Sequence, residues 1–111
     1  VYLTMRGISL ARLLGIVLPG IKVAEVHPAG SMVLNGFDPG LVREIKRDAN
    51  AREEILLRME EIFRFRNFHE TADDHYIASL GALLAARGLA VNEVMWLKKA
   101  EPPVHPFDYL C

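Results

Sequence analysis

A chain of 111 residues is one domain at most, and 51% hydrophobic with 24% charged residues is enough to bury a core, which excludes disorder as its main state. A formal net charge of −1 supplies no global pull toward nucleic acid or anionic membrane, so either would have to be met by a local patch. Cys111 is the only cysteine, which leaves no intramolecular disulfide and makes a reducing, cytoplasmic setting the expectation. Residues 77–86 fall well short of the ~20 apolar residues that span a bilayer, and Arg6 and Arg12 leave residues 13–18 a poor secretory core, so no membrane partner is expected. The first residue is Val1 rather than methionine, and further sequence upstream is expected.

In chain order, Met5, Ile8, Leu10, Leu13 and Leu14 recur at helical spacing over residues 4–14, with Gly15 as the residue past the end; Gly7 weakens this helix by about 1 kcal/mol relative to alanine. Residues 15–20 connect it to a short strand at 21–27, where Val23, Ala24 and Val26 are bounded by Gly20 and Pro28. Glu25 sits in the middle of that strand. If both faces are covered, its carboxylate needs a cation, hydrogen-bond donors or a metal; the alternative places it at a wet strand end or beside an arginine. The apolar segment 29–36 is expected as a short helix near the strand end, closed by Asn35-Gly36.

Asp38-Pro39 is a helix start, an aspartate cap with proline at the first helical position, and Leu41, Val42 and Ile45 form the buried stripe. Asn50 with Glu53 resembles a capping box for a helix through Arg66 that buries Ile55, Leu56, Met59, Ile62 and Phe63. Glu54 with Arg58 and Glu60 with Arg64 are spaced for surface ion pairs. Arg43, Lys46, Arg47 and Arg52 offer a phosphate-contact cluster, with Arg43, Lys46 and Arg47 the candidate nucleic-acid contacts; the interleaved Glu44, Asp48, Glu53 and Glu54 equally fit a solvated face.

After the polar break Asn67 to Glu70, Thr71 is read as the cap of a long helix to Arg87, ended by Gly88. Tyr76, Ile77, Leu80, Leu83 and Leu84 form its apolar face, and Ala78, Gly81, Ala82, Ala85 and Ala86 let it approach another element closely. Residues 91–97 fit an edge strand or a last helical turn, and the reading adopted is strand. Trp96 is expected to anchor a core or interface rather than stack on bases. Pro102, Pro103 and Pro106 predict an extended, non-helical arm.

The helix carrying Met5-Arg6-Gly7, the strand Val23-Ala24-Glu25-Val26-His27-Pro28, and Asp73-Asp74-His75-Tyr76-Ile77-Ala78-Ser79-Leu80-Gly81 together resemble the family named domain of unknown function 429, described as predicted nucleases of ribonuclease H-like fold. The resemblance covers roughly residues 4–89. Glu25, Val26, His27 and Pro28 match its glutamate, valine, aromatic-or-histidine and proline, and Asp74 best matches the aspartate opening an alanine-rich helix, with Asp73 second. His75 and Tyr76 depart from it, standing where alanine and leucine are usual. The three-stranded meander that supplies the family's first metal-binding aspartate has no counterpart here.

One strand against four helical patterns predicts a mostly helical α/β chain, with one or two strands and four or five helices, and the resemblance implies that residues 1–111 are a single partial ribonuclease H-like domain. It implies magnesium or manganese held by Glu25 and Asp74, Asp73 as a further catalytic candidate, and His27 and His75 behind them. As plain structure, Asp73 and Asp74 instead suit the helix dipole and a capping box with Thr71, and the histidines show no compact ligand spacing. Two functions are expected: an incomplete metal-dependent nuclease, a hydrolase of nucleic-acid phosphodiesters with little or no activity as this chain alone, or a non-catalytic protein-interaction module completing a larger sheet. So few strands cannot protect their own edges, so a homo-oligomer or a partner chain supplying strands is expected.

Overall fold

A computed structural model of the protein describes residues 2–64 and 73–111. In chain order these residues form α1 (Tyr2–Val17), β1 (Ala24–Val26), α2 (Pro28–Leu34), α3 (Pro39–Glu44), α4 (Ala49–Phe63), α5 (Asp74–Ala90), β2 (Trp96–Lys98) and β3 (Asp108–Leu110). The architecture is the expected mostly helical α/β, with five helices among the described residues, but the sheet has three strands rather than one or two.

The core lies among α2, α3, α4 and α5. Met32, Phe37, Val42, Ile45, Ile55, Leu56, Met59, Ile77, Leu80 and Leu84 form one buried cluster; the expected helical stripes supply most of it, but Phe37 lies between α2 and α3, and Leu83 of the expected α5 face is exposed. The small residues of α5 serve the close approach anticipated for them: a β-carbon on Gly81 would lie 2.9 Å from the Pro28 carbonyl oxygen and 2.8 Å from Met32 Cε, so α5 crosses α2 nearly backbone to backbone.

Short polar side chains start the helices. Asp38 Oδ1 accepts from the Leu41 amide at 3.0 Å, with Pro39 at the first helical position as its sequence predicts. α4 is capped by Asp48, whose Oδ1 accepts from the Asn50 amide at 2.8 Å; Asn50 is itself helical, so the Asn50 box is not the start, and a negative charge before the helix dipole is the stronger cap. Asp73 caps α5, accepting from the Tyr76 amide at 2.7 Å, while Thr71 lies outside the described residues.

Helix ends differ from the sequence reading where glycine was taken as a stop. α1 runs through Gly15 to Val17 and ends at Pro19 and Gly20, the latter at φ +85°, because proline disfavours helical geometry in the residue before it. α4 ends at Phe63, with Arg64 left-handed at φ 56°, short of the expected Arg66. α5 runs through Gly88 to Ala90. The Gly88 carbonyl then accepts from the Glu93 amide at 2.7 Å, and a side chain on Gly88 would meet the Glu93 carbonyl, so this glycine makes room for the turn back.

The chain's last residues correct the reading most. Instead of an extended arm, Glu101 and His105 exchange main-chain hydrogen bonds at 2.7 and 2.9 Å, and the turn they close returns the chain as β3. β3 is the central strand, parallel to β1 with Ala24 opposite Asp108, Glu25 opposite Tyr109 and Val26 opposite Leu110, and antiparallel to β2 with a register shift between Trp96 and Lys98. Met95 and Cys111 exchange two further bonds beyond β2. Phe107, Tyr109 and Leu110 suit a strand, and Leu110, 1% exposed, holds it down. The strand reading of residues 91–97 holds for β2 in kind, shifted toward the C-terminus.

β1 is shorter than the expected 21–27 and is not covered on both faces. It sits at the sheet edge, and alternation leaves Ala24 and Val26 half-buried while Glu25 is exposed. Water solvates the carboxylate, so the demand for a buried partner does not arise. On α1, Leu10, Leu13, Ile16 and Val17 are exposed. No helix among the described residues is long and apolar enough to cross a membrane.

Candidate functional site

Glu25 lies on the wall of an open groove of about 390 Å³ between α1 and the sheet. Gly7, Ile8 and Ala11 contribute the helix side, residues 23–26 the edge strand, and Phe107 and Tyr109 the centre of the sheet. In a parallel pair, residues in register share a face, which places Glu25 and Tyr109 side by side. Tyr109 also tilts toward His27, their ring centres 6.5 Å apart.

His27 ends β1 and caps α2. Its Nδ1 accepts from the Gly30 amide at 2.8 Å, which assigns the proton of a neutral ring to Nε2. Asp74 is the first residue of α5 and half-buried; Asp73 precedes it with one oxygen committed to the Tyr76 amide; His75 follows, exposed. None of these three lines the groove that holds Glu25. Among the described residues no three His, Cys, Asp or Glu side chains are grouped so as to hold a metal ion.

The basic cluster divides. Arg43, Lys46 and Arg47 are exposed on α3 and the turn after it, whereas Arg52 turns inward and donates to the Ile45 carbonyl at 2.7 Å, closing the end of α3. Arg58 does not turn to Glu54. It reaches across to donate to the Gly36 carbonyl at 2.8 Å, with its guanidinium 4.7 Å from the centre of the Phe37 ring.

The sequence reading missed Phe107 and Tyr109 as companions of Glu25, because the prolines before them suggested an arm. The alternation of aromatic and polar residues after Pro106 was the available signal. It also missed the surroundings of Trp96, which is half-buried with Lys22 Nζ 5.0 Å and Lys99 Nζ 3.3 Å from its ring centre. Lys22 lies 4.0 Å from Asp108, and Lys98 lies 3.6 Å from Glu101. Of these contacts, those of Lys22 with Trp96 and Asp108 join residues far apart in sequence, brought together by the β1–β3 pairing, whereas Lys99 and Glu101 meet Trp96 and Lys98 from three residues along the chain. Compared with known proteins, the chain matches no family model, no curated protein and no solved structure.

Proposed function

We propose that this protein is an interaction module that completes a larger sheet, accepting a further strand along the free edge of β1. One observation carries this. The His27 amide donates inward to the Leu110 carbonyl at 2.9 Å, so by alternation the main-chain groups of Ala24 and Val26 point away from β3, where they meet no strand among the described residues. The opposite edge is guarded differently: Lys98, Lys99 and the register shift make β2 a poor template, whereas β1 offers one charge, Glu25, and no bulge. For the isolated chain a second copy is the available strand donor. Self-association is therefore expected at micromolar concentration, lost in Ala24→Pro, which removes an outward amide while sparing the β1–β3 ladder. Sedimentation showing a stable wild-type monomer would count against the module.

The exposed carboxylate of Glu25, on the same strand that extension would place inside the sheet, favours a second reading: the metal-dependent nuclease of the family resemblance, cutting phosphodiesters of nucleic acid. Bound magnesium or manganese would supply an activated water and stabilise the leaving oxygen. Glu25 would be a solvent-reachable oxygen ligand for the ion, and an added strand would have to bring others. A manganese-dependent nuclease assay on the chain with its sheet extended, comparing wild type with Glu25→Gln and Asp74→Asn, decides it. Cleavage unaffected by either substitution would remove this reading.

A further inference from the structure

We propose that Trp96, with Lys22, Lys98 and Lys99, forms a docking surface for single-stranded nucleic acid. The indole is the chain's only tryptophan and is half-buried on β2, so part of it is held and part reachable. Two ammonium groups contact it from separate stretches of chain, Lys99 at 3.3 Å and Lys22 at 5.0 Å from the ring centre, and Lys98 follows on the same strand. The carboxylates nearby are engaged: Asp108 accepts from the Ala100 amide at 2.8 Å and faces Lys22, and Glu101 faces Lys98. Lys99 has no carboxylate partner among the described residues, and its contact is the indole.

An aromatic face ringed by exposed cations is the combination that binds a nucleic-acid strand without sequence preference, bases stacking on the ring while lysines follow the phosphates. The exposed Lys99 is weakly held over the reachable part of the half-buried indole, and stacking of a base is the stronger contact, so an arriving base displaces Lys99, which then meets a phosphate. An acidic peptide would satisfy the lysines but leave the indole unused. This surface is separate from Glu25 and rests on neither reading of the β1 edge.

Because Trp96 is the only tryptophan, intrinsic fluorescence reads the surface directly. Titration of the full chain with an oligothymidylate of about eight nucleotides should quench Trp96 saturably. Added potassium chloride should weaken binding, and each of Lys22→Ala and Lys99→Ala should reduce the slope of log affinity against log salt by about 0.7. Lys99→Glu should lower affinity at least tenfold, read with a labelled oligonucleotide, while circular dichroism stays unchanged. No saturable quenching at low salt, equal binding by Lys99→Glu, or equal quenching by polyglutamate would each overturn the proposal.

Discussion

Gly81 lies against the carbonyl oxygen of Pro28, 2.9 Å from where a β-carbon would stand. Helix propensity favours replacing this glycine with alanine by about 1 kcal/mol, yet the added methyl would enter the space of α2's first turn and of Met32 Cε. The steric term should win because the obstructing atom is backbone. Gly81→Ala is expected to destabilise the fold by about 1–3 kcal/mol in urea unfolding. A more stable variant would mean that α5 and α2 are not in such close contact.

Arg58 joins α4 to the end of α2 through the Gly36 carbonyl and the Phe37 ring. Arg58→Ala should lower stability by about 1–2 kcal/mol, more than a solvated surface position. Arg58→Lys should recover little, since an ammonium cannot hold a carbonyl and lie flat on the ring together. Full recovery by lysine would reduce the contact to simple charge.

Two of the site candidates hold helices in place, which makes their roles separable. Asp73→Ala and His27→Ala should each cost about 1 kcal/mol, and Asp73→Asn and His27→Asn should cost much less, because asparagine still offers a capping oxygen. Chemical denaturation of the four variants checks this. If Asp73→Asn folded normally yet abolished metal-dependent cleavage in the extended protein, the carboxylate would have a role beyond the cap.

Leu110 is the buried residue of the central strand. Leu110→Ala should cost roughly 2–5 kcal/mol, and the His27 amide, which bonds to the Leu110 carbonyl, should lose protection in hydrogen exchange. Protection at His27 with unchanged stability would show that β1 holds its place without β3.

The helices were largely legible because their signals are local. Asp38-Pro39 announces α3 within two residues, and Ile77, Leu80 and Leu84 mark the buried face of α5 by spacing alone. Gly15 and Gly88 misled because a glycine can end a helix or sit inside one: at Gly88 the segment at Glu93 passes close, which the sequence does not display, whereas at Gly15 nothing lies within 4 Å of a β-carbon and the helix stops only before Pro19. The sheet was illegible in the same way. Val23 to Val26 advertises a strand, but its partner Asp108–Leu110 follows three prolines at the far end of the chain, and the contacts of Trp96 with Lys22 exist only once that pairing forms.

The sheet's middle strand is also the last to be synthesised. During translation β1 emerges before β3, the strand it pairs with, and β2 follows with that neighbour still unmade, while the cluster among α2 to α5 is complete by the time Ala90 has appeared. Domains form from their N-terminal parts as the chain grows, and contacts spanning most of the sequence carry the largest loop-closure cost, so the sheet should be the final cooperative step. A stalled or clipped chain ending before Phe107 would keep its helical core and present two unpaired strands at once, the form of this molecule most prone to aggregate.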